Sequence, residues 1–299
     1  MDRFEAMRTL VAAVDGGSLS AASRTLGVPL PTVSRRVSDL EAHLGAQLVV
    51  RTSRKLLPTD AGQAFIATCR RVLDELDAAE RAAAGEYRMP RGDMLITAPI
   101  MFGRMHVEPV VLEFLKAYPD INVRLLLGDN LLDLVENQVD FAVRIGALPD
   151  SSMVATRLGI VRWVTCASPA YIAERGMPEN LEALAAHDCI AFERLYSTNI
   201  WTFRKGAETV AVPIRPRFAV STADGAIDAA LAGAGLVRIL SYQAAKAIAG
   251  GQLVVVLPEF QPEPLPVHLV RTGQAIMPLK LRAFADFATP RLYERLTSA

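Results

Sequence analysis

The chain has 299 residues, 51% of them hydrophobic, with 32 Lys and Arg against 32 Asp and Glu. That length implies two or more folded units with sizeable cores. The charge balance excludes binding to nucleic acid through overall positive charge, so any DNA affinity must be local. No apolar run approaches the roughly 20 residues of a membrane helix. The charged start Met1-Asp2-Arg3-Phe4-Glu5 reads as helix, not as a secretory leader. Cys69, Cys166 and Cys189 are widely spaced with no CxxC, and His43, His106, His187 and His268 show no ligand spacing. The expectation is a reducing cytoplasm with no disulfide framework, no metal and no cofactor.

Residues 2 to 15 read as a first helix, with Phe4, Met7, Leu10, Val11 and Val14 on one face. Ser18 follows Gly16-Gly17 and can cap a second helix, whose apolar side is Leu19, Ala22 and Leu26. Gly27 suits a left-handed helix end, and Val28-Pro29-Leu30 cannot easily continue a helix. Pro31 suits the first turn of a third helix. Val33, Val37, Leu40 and Leu44 then recur at helical spacing as a buried stripe, leaving Thr32, Ser34, Arg35, Arg36 and Ser38 off it. Arginines and hydroxyls near the start of one helix are the chemistry a DNA major groove needs. An amphipathic hairpin with a solvated charged face is the plainer reading. The capping, the short turn and the next segment favour DNA.

That segment, Gln47 to Thr59, has two short apolar runs flanking Arg51-Thr52-Ser53-Arg54-Lys55. It reads as a small hairpin with a basic tip, a wing that supplies phosphate attraction. Arg35, Arg36, Arg51, Arg54 and Lys55 against Asp39 and Glu41 make the local positive excess.

Residues 4 to about 65 resemble the winged helix-turn-helix of LysR-type transcriptional regulators. The resemblance rests on Gly17-Ser18-Leu19-Ser20-Ala21-Ala22-Ser23, Val33-Ser34-Arg35-Arg36-Val37-Ser38-Asp39-Leu40-Glu41, Leu48-Val49-Val50-Arg51-Thr52-Ser53-Arg54 and Thr59-Asp60-Ala61-Gly62. The expected DNA contacts are Ser18, Leu30, Pro31, Thr32, Ser34, Arg35, Arg36, Arg51, Thr52, Arg54 and Lys55. Pro29-Leu30 departs from the polar pair common in the family at this point. Leu30 either touches a thymine methyl or merely packs.

Pro58-Thr59-Asp60 caps a long helix running to about Tyr87, with Phe65, Cys69, Val72, Leu76, Ala79 and Ala83 in a heptad stripe. Such a seam serves either a dimer or packing along its own domain. The resemblance implies a dimerisation helix, a dimer or tetramer, and a two-fold-related site on double-stranded DNA.

Met89-Pro90-Arg91-Gly92-Asp93 breaks the helix, and strands and helices then alternate. Strands are expected at 94–98, 121–127, 139–145, 161–167, 189–192, 209–213, 217–221, 236–240, 253–257 and 267–271. Helices are expected at 103–118, 131–136, around 169–173, 222–233 and 278–296, and the sheet is expected to be mainly parallel. Ala232-Gly233-Ala234-Gly235-Leu236 follows a helix and precedes a strand, the reverse of a dinucleotide loop. No GxSxG, HExxH or P-loop occurs, so no enzyme is expected.

This half resembles the effector-binding domain of the same family, closest to the subgroup with Ala98-Pro99…Phe102-Gly103-Arg104 and Arg144…Gly146…Leu148-Pro149-Asp150-Ser151. The implied fold class is α+β multidomain. It has a winged helix-turn-helix (1–59), a linker helix (60–88) and a bilobal α/β effector domain like periplasmic binding proteins (92–299). One lobe is 92–161 plus 267–299 and the other 162–266. A small-molecule effector would lie between them, near Pro99, Ile100, Met101, Phe102, Asn130, Arg144, Gly146, Trp201, Ser221 and Thr222. Ile100 and Met101 stand where many members carry Ser or Thr, which suggests a rather apolar effector. RNA polymerase is a further candidate partner, and no membrane is expected. The rivals are a solute receptor and an α/β enzyme with a regulatory head.

Overall fold

The computed structural model describes residues 1–51, 56–83, 89–130, 132–148, 153–192, 199–273 and 277–297. The chain forms two compact units, Met1–Gly92 and Asp93–Ala299.

The first unit contains α1 (Arg3–Asp15), α2 (Leu19–Leu26), α3 (Leu30–Leu44), the antiparallel hairpin β1 (Val49–Arg51) and β2 (Leu56–Pro58), and α4 (Asp60–Ala83). Ser18 Oγ accepts from Ala21 N–H at 3.1 Å and starts α2. Gly27 and Gly45 end α2 and α3 in the left-handed conformation. Leu10, Ala13, Ala22, Val33, Val37, Leu40, Leu48, Leu56 and Ile66 form the core.

Three burials differ from expectation. On α1 the buried residues are Ala6, Thr9, Leu10 and Ala13, while Phe4 is exposed. Small residues let α2 and α3 approach α1 closely, so the buried stripe follows the alanines. Leu44 is exposed because it lies one turn beyond the last core contact, Leu40. On α4 the buried residues are Ile66, Cys69 and Leu73, with Phe65, Val72 and Leu76 only half-buried. This part of α4 packs along α1, held by Arg8–Asp77 at 2.7 Å and by Arg70–Asp15. The side chains of Ala79 and Ala83 lie outside the described residues.

The strands that follow are β3 (Gly92–Ala98), β4 (Ile121–Leu127), β5 (Phe141–Ile145), β6 (Met153–Val161), β7 (Trp163–Ala167), β8 (Cys189–Phe192) and β9 (Ile200–Lys205). After them come β10 (Glu208–Pro213), β11 (Pro216–Val220), β12 (Leu236–Leu240), β13 (Val254–Val256) and β14 (Leu265–Thr272). α5 (Ile100–Phe102) continues through a π-helical turn (Gly103–Val107) into α6 (Glu108–Ala117). The other helices are α7 (Pro169–Arg175), α8 (Ala223–Leu231), α9 (Ser241–Ala249) and α10 (Leu279–Thr297).

Two five-stranded sheets result, ordered β4-β3-β5-β14-β6 and β11-β8-β12-β7-β13, with β9–β10 as a separate hairpin. They are mixed, which corrects the mainly parallel expectation. β3–β5, β8–β11 and β8–β12 are parallel, but β14 runs antiparallel to β5 and β6, and β7 to β12 and β13. The chain crosses between the lobes at Arg162 and again before Leu265. A strand arriving from the other lobe enters its sheet in the reverse sense. The helix expected at 131–136 is a turn: Asp133 accepts from Val135 N–H and Glu136 N–H, and Leu131 lies outside the described residues.

One apolar core runs through both lobes, from Ile96, Phe102, Phe114 and Phe141 to Ile190, Ala226, Val237 and Tyr242. Cys69, Cys166 and Cys189 are buried free thiols, pushed up by burial to about 11, 12 and 12. Among the described residues no helix is long and apolar enough to cross a membrane.

Candidate functional site

Burial of Val33, Val37 and Leu40 turns Pro31, Arg35 and Ser38 outward on α3. Arg35 is exposed, and its side chain makes no ion pair or hydrogen bond among the described residues. Arg36, about 100° further round the helix, behaves differently. Its Nη1 lies 3.0 Å from Glu5 Oε2 and 3.4 Å from Thr9 Oγ1, both on α1. The Thr9 hydroxyl is itself fixed, donating to Glu5 O at 2.6 Å. Arg36 therefore straps α3 to α1, while Arg35 remains available to an anion.

The wing is tied to the same helix by a residue that sequence reasoning counted only as a charge. Glu41 Oε1 accepts from Leu48 N–H at 2.8 Å and Val49 N–H at 3.1 Å. Its position, one helical turn before the end of α3 and seven residues before Leu48-Val49, was the available signal. Leu56 N–H donates to Gly17 O at 3.0 Å, joining the wing to the start of α2. Thr59 Oγ1 donates to Gln47 O at 2.7 Å and accepts from Gly62 N–H at 2.9 Å. Gly62 is required by contact: a Cβ there would sit 1.8 Å from Leu48 O. Of the other expected contacts, Leu30 and Pro31 are exposed, Thr32 and Ser34 are half-buried, and the Ser18 hydroxyl serves as a helix cap. Thr52, Arg54 and Lys55, and the side chain of Arg51, lie outside the described residues.

In the second unit the α5 N-terminus sits at the lobe junction. Ile100 N–H donates to Asp129 Oδ1 at 3.2 Å, so the chain's own carboxylate takes this donor. Pro99 and Ile100 are half-buried, while Met101 and Phe102 belong to the core. The Phe102 ring lies 4.8 Å from His106 and 5.4 Å, edge-on, from Tyr242 of α9. Arg104 Nη2 lies 2.7 Å from Asp224 Oδ1 on α8. An aromatic cluster and an ion pair therefore bridge the lobes, and none of His106, Tyr242 or Asp224 was singled out from sequence. Burial, and then the Arg295 guanidinium, hold the His106 imidazole below its ordinary value.

Asn130, Ser221 and Thr222 are exposed, and Thr222 Oγ1 caps α8 by accepting from Gly225 N–H at 3.3 Å. Arg144 Nη2 donates to Leu132 O at 2.8 Å. Gly146 holds φ +108° and donates its N–H to Pro266 O at 2.8 Å. Trp201, expected as a cleft wall, is 7% exposed and packs with Tyr171, Leu184 and Phe203 in a separate second-lobe cluster. Its strand, β9, alternates Trp201 and Phe203 inward, a period-2 pattern absent from the sequence reading. Pro149, Asp150 and Ser151 lie outside the described residues. Among the described residues no group of His, Cys, Asp and Glu is placed to hold a metal ion.

Residues 4–63 match the family model described as bacterial regulatory helix-turn-helix protein, lysR family, and residues 88–292 match the LysR substrate binding domain. An HTH-type transcriptional regulator of Xanthomonas campestris pv. campestris (strain 8004) is 34% identical, covering 94% of this chain and 83% of the relative. An HTH-type transcriptional repressor of Pseudomonas aeruginosa (strain UCBPP-PA14) is 33% identical, covering 96% and 91%. Among solved structures, the LysR-type regulator CrgA from Neisseria meningitidis matches with TM-score 0.62 and 31% identity, over 98% of both chains.

Proposed function

The chain belongs to the LysR family of transcriptional regulators, with a helix-turn-helix DNA-binding domain and an effector-binding domain, and from that premise we propose how it reads DNA and responds to a ligand. It acts in the cytoplasm as a dimer or as a tetramer built of two such dimers on a two-fold-related operator. α3 lies in the major groove, with Arg35 on a base edge or phosphate. The wing residues Arg51, Thr52, Arg54 and Lys55 meet the backbone. The half-buried seam of Phe65, Val72 and Leu76 supports pairing through α4, since it stays partly exposed after Ile66, Cys69 and Leu73 have packed. The effector sits between the lobes near Pro99, Ile100, Asn130, Gly146, Ser221 and Thr222. The commitment of Ile100 N–H to Asp129 supports an uncharged, rather apolar effector. An effector that favours one arrangement of the lobes would reset the spacing of the DNA heads, and so the access of RNA polymerase to the promoter.

One observation carries the DNA reading: among the described residues the Arg35 side chain has no partner, on an α3 clamped on two sides by Glu5–Arg36 and Glu41–wing contacts. The test is binding of the purified chain, across a salt series, to the DNA upstream of its own gene and to random DNA. Specific binding should fall steeply with salt and give a two-fold footprint. Arg35→Ala should weaken specific binding by about 1–3 kcal/mol without lowering thermal stability. Equal losses on specific and random DNA would make Arg35 a phosphate contact only. No preference over random DNA for this fragment or for any genomic fragment would refute the reading of α3.

A further inference from the structure

We propose that Leu30 reads the 5-methyl group of a thymine, so that each operator half-site is recognised partly through an apolar contact at the tip of α3. The inference rests on α3 being the helix that enters the major groove. Leu30 is the first residue of that helix, where recognition helices meet base edges. It is 42% exposed and joins neither the buried core of its unit nor the residues packed against that core. Its neighbours Leu19 and Val28 do pack there, so core packing accounts for those two side chains and not for Leu30.

The surroundings of Leu30 narrow what it can meet. Pro29 and Pro31 flank it, both exposed and both without an N–H. Across these three residues the tip carries no side-chain donor or acceptor. In the major groove the bases present donors, acceptors and one apolar group, the thymine methyl. An apolar tip pressed against any other base edge would strip water from polar groups and leave them unpaired. The tip therefore selects the methyl both by contact and by penalising the alternatives.

The tip is also held in place. Pro29 and Pro31 fix their own φ angles. The turn before them is pinned by Ser23 Oγ donating to Val28 O at 2.6 Å and Val28 N–H donating to Ser23 O at 3.2 Å. The backbone at Leu30 is thus held before binding, which leaves only the rotamers of its side chain to be ordered against the base.

The test begins with the full chain selecting duplexes from a randomised pool. Each thymine of the selected duplex is then replaced, one at a time, by deoxyuridine, which removes only the methyl. One such replacement per half-site should weaken wild-type binding about three- to fivefold, the worth of one buried methyl group. Leu30→Ala should weaken binding to the thymine duplex by a similar factor and be indifferent to that replacement. Leu30→Gln should move the preference at that base pair towards adenine, which glutamine can grip through N6 and N7. Leu30 is exposed, so both variants should melt with wild type. A uridine scan with no effect, or an equal effect in Leu30→Ala, overturns the proposal. If Arg35→Ala still weakens binding to the selected duplex in that case, the recognition-helix reading survives and only the role of Leu30 falls. If no duplex is enriched at all, both fall together.

Discussion

Removing the Glu41 carboxylate should loosen the wing and destabilise the first unit. In Glu41→Ala two backbone donors, Leu48 N–H and Val49 N–H, lose an acceptor held at 2.8 and 3.1 Å. Hydrogen bonds to a charged group contribute about 1.5–3 kcal/mol each. Leu48 and Val49 are 2% and 4% exposed, so water cannot fully replace the lost oxygen without disturbing the core. Glu41 itself is only half-buried, which lets solvent recover part of the loss. The expected net cost is about 2–4 kcal/mol, a large share of the roughly 5–15 kcal/mol that holds a domain folded. For a unit of this size it should lower the melting temperature by about 10–25 °C. Glu41→Gln keeps an acceptor oxygen but loses the charge, and should fall about midway. Differential scanning calorimetry of the full chain, with hydrogen exchange read on peptides spanning residues 46–58, measures both effects. An unchanged transition of the first unit, together with unchanged protection at Leu48 and Val49, would refute the assignment of Glu41 as the anchor of the wing.

Gly62→Ala should be comparably damaging, because the new Cβ would meet Leu48 O at 1.8 Å and neither backbone can yield without moving the wing or α4; a cost of about 2–3 kcal/mol is expected, and a variant that melts within about 1 °C of wild type would contradict the contact. Acid should weaken the second unit through His106. Its folded value lies below the ordinary 6.5, so between that lowered value and 6.5 the unfolded chain binds the extra proton. Stability is therefore lost as pH falls through that window and is retained above it. His187 and His268 shift the same way, so His106→Gln should reduce, not abolish, the slope of melting temperature against pH below about 6.5; an unaltered slope would exclude His106 as a contributor.

The parts of the chain that announced themselves were those whose physics is local. Ser18, Gly27 and Pro31 punctuate the helices as their caps and turns require. Val33, Val37 and Leu40 carry an unambiguous helical period. What stayed hidden depends on partners distant in sequence. The alanine stripe of α1 looks weakly apolar until α2 and α3 are laid across it, so Phe4 and Met7 appeared the better core residues. The buried face of α4 keeps Cys69 from the heptad stripe but otherwise turns to Ile66 and Leu73, because α1 competes for that surface. Sheet direction depends on the two crossovers between lobes, and no local pattern records them. β9 went unread because its alternation is short and precedes a two-residue turn.

The same distinction divides the candidate site residues by what their polar atoms already do. Arg36 and Arg35 are adjacent and chemically identical, yet Glu5 and Thr9 engage the first and leave the second free. Thr222 and Ser18 have the look of ligand-binding hydroxyls, and both have an oxygen engaged in capping a helix. The Arg144 guanidinium already donates to a backbone carbonyl. Ile100 N–H, the donor an anionic effector would use, is answered from within by Asp129. To bind there, an anion would have to displace a carboxylate held at high effective concentration by its own chain. A neutral ligand meets no such competition, and can use the apolar wall that Pro99 and Ile100 provide. The proposal of a rather apolar effector thus rests on which backbone donor is occupied as well as on the hydrophobic residues at the junction.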